Sequence, residues 1–340
     1  MTFSDYLDRI KPQIDERIEF ITAAGLVDPD VIPVLLKGKR LRGGLLMLVY
    51  ESIPHKDDYD NALDLACALE LAHSASLIMD DMIDEDDVRR GLPTIHLTHG
   101  HKKAMLETIG ILSLPYDLAS HSGTPYVKML ADTQRLMVSG AIKELFKSPD
   151  LPASKLYDMI ITHKTGRLFS LAAKWGCMAG IGLGDTSNTP GTIKFGEYGL
   201  HCGKAMQIAD DITDLYEIID GKKTSGFGSE ILLLNCVGMD GLVKEFIHDL
   251  KNRDLDFSKI KKLKTAIHDA LVGMQDKEIE KSTSCLGYVL PWDLNPEFKE
   301  LLISNLNRCL GEYINQEYKE LLISAPHDIV QIMMREYIKL

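Results

Sequence analysis

Two short acidic runs hold the residues best suited to chemistry. Asp80-Asp81-Met82-Ile83-Asp84 and Asp210-Asp211-Ile212-Thr213-Asp214 both read D-D-x-x-D, each closing a long apolar, helix-periodic stretch. Residues four apart share a helix face, so Asp80 pairs with Asp84 and Asp210 with Asp214. Hard carboxylate oxygens on a rigid element suit Mg²⁺, which keeps some waters and shares the rest of its shell with a phosphorylated ligand. A solvated acidic helix end is the plainer reading of either run alone. Negative charge at a helix C-terminus opposes the macrodipole, and two such runs suggest that bound metal offsets the cost.

Cations stand nearby in the sequence. Gly38-Lys39-Arg40-Leu41-Arg42-Gly43-Gly44 precedes an apolar helix and predicts a diphosphate cradle of ammonium, guanidinium fork and backbone donors. Arg89 and Arg90 follow the first acidic run, which in the plainer reading they neutralise. His73 lies about two helical turns before Asp80. As a lone His on an apolar helix it reads more simply as a core residue, and Lys164, before Thr165, as an exposed helical lysine. His96, His99 and His101 fall in a predicted loop after Pro93 and read as surface histidines rather than a metal set. No Ser/His/Asp set is apparent.

The elements that must position these groups are helical. Residues 61–82, 126–146, 154–175, 193–219 and 256–281 are predicted as long helices, and strand-like alternation is nearly absent. Short breaks are expected at 122–125, 148–152, 180–191 and 282–296. The expectation is a single all-α domain over residues 1–340, of roughly ten helices. A net charge of −12 argues against a nucleic-acid footprint, whereas metal ions would still let an acidic chain hold an anionic substrate. No stretch reads as long and apolar enough to span a bilayer, and residues 1–19 lack a signal peptide's apolar core. The scattered Cys67, Cys177, Cys202, Cys236, Cys285 and Cys309 predict buried free thiols in a reducing cytoplasm.

Taken together, the sequence resembles the trans-isoprenyl diphosphate synthase (polyprenyl synthetase) family. The match is carried, in the family's order, by GKRLR at 38–42, ELAHSASLIMDDMIDEDDVRRG at 70–91, Lys164-Thr165, and QIADDITD at 207–214. It covers about the first two-thirds of the chain. The resemblance implies the isoprenoid synthase fold, an antiparallel helix bundle around a central cavity, and a cytoplasmic homodimer. It implies an Mg²⁺-dependent prenyltransferase that condenses isopentenyl diphosphate with an allylic prenyl diphosphate. Three Mg²⁺ would be held chiefly by Asp80, Asp84 and Asp210, with Asp81, Asp211 and Asp214 in support. Lys39, Arg42, His73 and Arg90 would hold isopentenyl diphosphate, and Arg89, Lys164 and Lys222 the allylic diphosphate. Thr165 and Gln207 would line the reaction centre.

Departures from the family pattern touch the allylic side. Glu107-Thr108 stands where the family carries Gly-Asp, Gly140-Ala141 where it carries Gly-Gln, and the second lysine after the second acidic motif is missing, leaving Lys222 or Lys223 to cover for it. A class I terpene cyclase is the first alternative, opposed by Lys39, Arg42, His73 and Arg90, since a cyclase has no second diphosphate to hold. A regulatory subunit of a heteromeric synthase is the second, opposed by the retention of both motifs. Small residues before the first motif, Ala68, Ala72, Ala75 and Ser76, predict a deep groove and a product of C20 or longer. The plainer reading is that these alanines allow close helix packing and the floor lies at Met129, Leu130 or Met137.

Overall fold

The structure, a computed structural model, describes residues 1–53, 58–146, 151–182, 185–219, 232, 233, 236, 257–286 and 316–334. It divides into two compact units. The first comprises Met1–Asp132, Leu171–Gly196 and Tyr288–Ser324, and the second Thr133–Ser170, Glu197–Gly287 and Ala325–Leu340.

In the first unit α1 (Phe3–Ala24) starts from a capping box between Thr2 and Asp5 and buries Phe3, Tyr6, Leu7, Ile10, Ile14 and Ile18 at helical spacing. α2 (Ile32–Leu36) and α3 (Leu41–Ser52) follow, then the long α4 (Tyr59–Asp84). A two-residue hairpin pairs β1 (Val88–Arg89) with β2 (Leu92–Pro93), before α5 (Ile95–His99) and α6 (His101–Ser122). α4 packs against α1, α3 and α6, which explains why its apolar residues occupy more than one face. Arg17 ties α1 to α4 through both carboxylate oxygens of Asp64 at 2.7 and 3.0 Å.

Next in the chain come α7 (Thr124–Phe146), α8 (Ala153–Ile161), a π turn at Thr162–Gly166, α9 (Arg167–Ile181), α10 (Pro190–Ile219), α11 (Phe257–Leu286) and α12 (Gln316–Met334). The second unit's core joins Leu156, Tyr157, Ile160 and Ile161 of α8 to Ile208, Ile212 and Leu215 of α10, Leu271 of α11, and Val330 and Met334 of α12.

The all-α expectation holds, with corrections. The predicted helix over 154–175 is interrupted by the π turn, because a wider turn is invisible to a 3.6-residue apolar period. The break at 122–125 shrinks to Gly123, and α11 runs on to Leu286. The second acidic motif lies inside α10, not at its end. α4 does meet the length and apolarity of a membrane span, at mean hydropathy 1.4, but 72% of that stretch is buried within the protein. Among the described cysteines no disulfide forms; Cys67, Cys177, Cys202 and Cys285 are buried, Cys236 only half-buried, and Cys309 lies outside the described residues.

Candidate active site

The cationic end of the site is built where α3 meets α4. Arg40 precedes α3 with φ 60°, and this left-handed turn sends its side chain into the interior. There Nε donates to Asp15 Oδ1 at 2.6 Å, Nη2 donates to the Leu35 carbonyl at 2.7 Å, and Nη1 lies 3.8 Å from Glu70 Oε2. Glu70, 2% exposed, accepts the backbone N–H of Arg42 at 3.1 Å and of Gly43 at 2.8 Å. The backbone donors expected to face a diphosphate are therefore taken by a carboxylate. The two glycines serve packing. A Cβ on Gly43 would meet Ile14 Cδ1 at 3.1 Å and Glu70 Cγ at 3.2 Å, and one on Gly44 would meet Leu7 Cδ1 at 2.5 Å.

What remains for an anion is a set of side chains. Arg40 Nη1 and Arg90 Nη1 both sit over Gly38, where a Cβ would meet them at 2.6 and 3.3 Å. Burial, then Arg42, Arg90, Arg40 and Arg89 in turn, push the His73 imidazole well below its usual pKa. Arg42 and Arg90 thus both lie in the electrostatic surroundings of His73, and Lys39 is exposed beside Gly38. Arg40 and Glu70, to which the sequence reading gave no role, form the buried support. The available signal was the placing of Glu70 three residues before His73 on one helix.

The first acidic motif fills the last turn of α4. Asp80 is half-buried and Asp84 exposed, but Asp81 is 3% exposed and faces inward. Arg89 grips Asp81 Oδ1 with Nε at 2.6 Å and holds Asp86 Oδ2 with Nη2 at 2.9 Å. The hairpin explains how adjacent arginines part company. Arg89 lies in β1, while Arg90 and Gly91 take φ 54° and 72° at the turn, a pairing typical of two-residue hairpins. Arg89 therefore serves Asp81, and Arg90 joins the cation group. His96 corrects the reading of surface histidines. It is 5% exposed in α5, its ring 4.9 Å from that of the exposed His101, with His99 half-buried.

The second unit presents the other predicted groups. Lys164 and Thr165 sit in the π turn, where Lys164 Nζ donates to Glu144 Oε2 at 2.7 Å and Thr165 Oγ1 donates to Gln207 Oε1 at 2.5 Å. Gly140 makes this possible: a Cβ there would meet Lys164 N at 2.8 Å, so α7 and the π turn touch backbone to backbone. Glu144, one turn further along α7, then reaches the lysine. Asp211, 2% exposed, accepts Tyr157 OH at 2.7 Å and Gln207 Nε2 at 3.0 Å, while Asp210 and Asp214 stay half-buried. Glu144 and Tyr157 had no signal in the motif spacing. Lys222 and Lys223 lie outside the described residues.

The donor chemistry fits Mg²⁺. Each motif offers two oxygen-bearing side chains, four residues apart and more accessible than the inward-facing aspartate between them. Among the described residues no group of three or more His, Cys, Asp or Glu side chains converges on one point.

The sequence model of the polyprenyl synthetase family matches residues 30–226. A geranylgeranyl diphosphate synthase of Pantoea ananas is 31% identical over 245 residues, 68% of this chain and 76% of that protein. The fold is similar to that of the geranylgeranyl pyrophosphate synthetase of the archaeon Geoglobus acetivorans, with TM-score 0.69, 21% identity and coverage of 97% of this chain and 98% of that one. It is also similar to a Caulobacter crescentus CB15 polyprenyl synthase complexed with calcium and isoprenyl diphosphate, with TM-score 0.67, 22% identity and coverage of 95% and 97%.

Proposed function

The chain belongs to the polyprenyl synthetase family, and on that premise we propose that it is an Mg²⁺-dependent trans-prenyltransferase joining isopentenyl diphosphate to an allylic prenyl diphosphate. One observation carries the reading. A single face of α4 bears His73, beside Arg42 and Arg90, and then Asp80 and Asp84. Seven residues of helix separate His73 from Asp80 by about 10 Å. One face thus offers a metal-free anion cradle and a metal-binding anion site, as two diphosphate substrates require. A terpene cyclase has no use for the first.

In this reading Lys39, Arg42, His73 and Arg90 bind and orient isopentenyl diphosphate, with Arg40 and Glu70 holding the segment in place. Asp80, Asp84, Asp210 and Asp214 would hold Mg²⁺, and Asp81 and Asp211 stand behind them. When bound, Mg²⁺ supplies charge neutralisation to a departing diphosphate. Arg89 and Lys164 add positive charge beside the allylic diphosphate. Thr165 and Gln207 would present polar oxygens to the cation formed as the C–O bond breaks. The isopentenyl double bond then attacks, and the released diphosphate takes the proton. The proposal extends to one functional domain over the chain, a homodimer, and a product of C20 or longer. The Pantoea ananas relative's name supports that length, as does the absence of bulk at Ser76, one turn before Asp80.

Incubation with labelled isopentenyl diphosphate and each allylic primer, with and without Mg²⁺, tests this directly. A metal-dependent, chain-elongated product is expected. Release of a hydrocarbon from the allylic diphosphate alone would instead identify a cyclase.

A further inference from the structure

In the second unit, four side chains form an unbroken chain of hydrogen bonds. Tyr157 OH lies 2.7 Å from Asp211 Oδ2, Gln207 Nε2 lies 3.0 Å from Asp211 Oδ1, and Thr165 Oγ1 lies 2.5 Å from Gln207 Oε1. Tyr157, Asp211 and Thr165 are 1%, 2% and 4% exposed, so solvent has little access to reorder the donors.

Elementary chemistry fixes each direction. An ionised carboxylate only accepts. The Tyr157 phenol donates its O–H to Asp211 Oδ2 at 2.7 Å. The Gln207 amide must turn Nε2 toward Asp211 Oδ1 at 3.0 Å, with Asp210 Oδ2 a second and longer acceptor at 3.4 Å, because the flipped amide would set oxygen against oxygen. Its Oε1 then faces Thr165 and has no proton to give. Thr165 must therefore donate, which leaves its hydroxyl only lone pairs for any other neighbour.

We propose that Asp211, seconded by Tyr157, acts as a positioning residue that sets the direction of this chain and so makes Thr165 Oγ1 an obligate hydrogen-bond acceptor toward the reacting carbon. The inference rests on the prenyl-transfer reading and deepens it. A hydroxyl whose proton is turned away points the negative end of its dipole at developing positive charge, and needs no reorganisation when that charge appears. Asp211 thus acts two hydrogen bonds from the chemistry, and its buried carboxylate works through Gln207 rather than on the metal.

The test is Asp211→Asn, which keeps the shape but can donate as well as accept. Four quantities are read: kcat, both KM values, the half-saturating Mg²⁺ concentration, and the Gln207 side-chain amide signal in ¹H–¹⁵N spectra, assigned by its loss in Gln207→Met. A kcat loss of roughly 10- to 100-fold is expected, with both KM values and the Mg²⁺ requirement unchanged and the Gln207 signal moved. Thr165→Val should lower kcat in the native background and cost clearly less alongside Asp211→Asn, where only the longer Asp210 contact still orients the amide. An unmoved Gln207 signal, a raised Mg²⁺ requirement, or a Thr165→Val cost equal in both backgrounds would each overturn the proposal. Should Asp211→Asn not fold, Tyr157→Phe keeps the ring in the core while removing one donor. It should lower kcat and shift the Gln207 signal at unchanged Tm, and native values of both would refute the idea. If the native protein makes no prenyl product, the functional reading fails, yet the amide signal of the resting protein still decides the direction of the chain.

Discussion

Glu70 Oε1 accepts the backbone N–H of Arg42 at 3.1 Å, binding two parts of the motif set that are 28 residues apart in the chain. The same carboxylate takes the Gly43 N–H and faces the fully buried Arg40. The start of α3 is thereby capped by a side chain of α4, and Arg42 is fixed relative to His73, one turn further along that helix. The arrangement proposed to bind an anion in the first unit thus rests on a buried carboxylate.

Removing that carboxylate should cost stability before it costs catalysis. Glu70→Ala leaves Arg40 with less compensation and strands two N–H groups, a loss of about 3–5 kcal/mol. Glu70→Gln keeps an acceptor oxygen and should lose less. Urea unfolding measures both, and an alanine variant within about 0.5 kcal/mol of the native protein would show that the cap is dispensable.

Activity should need a divalent metal, and Asp80→Ala or Asp210→Ala should remove most of it. Loss of a ligand to a leaving-group metal can cost several kcal/mol of barrier, on the order of a thousandfold in rate. Turnover by EDTA-treated protein at the untreated rate would end the metal proposal.

Arg42→Ala should raise KM for isopentenyl diphosphate far more than for the allylic partner. A charge-assisted contact of this kind contributes roughly 1.5–3 kcal/mol. Weakening of the allylic substrate alone would mean that the two sites have been assigned in reverse.

Acid should weaken the fold through His73. Its folded pKa is held well below the ordinary value by burial and the surrounding arginines. The unfolded chain takes up a proton near pH 6.5 that the folded chain refuses, so stability falls as pH drops below about 6.5, by at most about 1.4 kcal/mol per pH unit. Chemical denaturation from pH 7 to 5 should show a shallower loss in His73→Gln than in the native protein. Equal slopes would place the histidine outside the arginine field.

Product length should respond differently to two adjacent positions. By helical period Ala68, Ala72 and Ala75 share a face of α4 with Asn61, whose Oδ1 accepts Ser122 Oγ of α6 at 2.6 Å, so these buried alanines line up with the α4–α6 packing. Ser76 shares the face of Asp80. Ser76→Phe should shorten the product, whereas Ala75→Phe should chiefly lower Tm. Unchanged chain length in both variants would move the floor to another helix.

Composition and periodicity made the all-α class legible, because helix amphipathicity is written locally, and the motif spacing singled out the aspartates and GKRLR as candidates for the same reason. Even the hierarchy within the motifs was partly readable, since positions i and i+4 of a helix share a face whatever surrounds it. Identity of residue could not say which polar group would face inward. Arg40 and Arg42 differ by two places in a basic run and both are buried, yet a left-handed backbone at Arg40 turns its side chain onto Asp15 and the Leu35 carbonyl, while Arg42 lies in the electrostatic surroundings of His73. Gly43 and Gly44 look like phosphate-binding glycines and prove to be spacers for helix packing. The grip of Glu144 on Lys164 and the hold of Tyr157 on Asp211 join residues 20 and 54 positions apart. Such pairs form only once chains pack, because the desolvation that makes a buried carboxylate seek a particular donor does not exist in the extended chain.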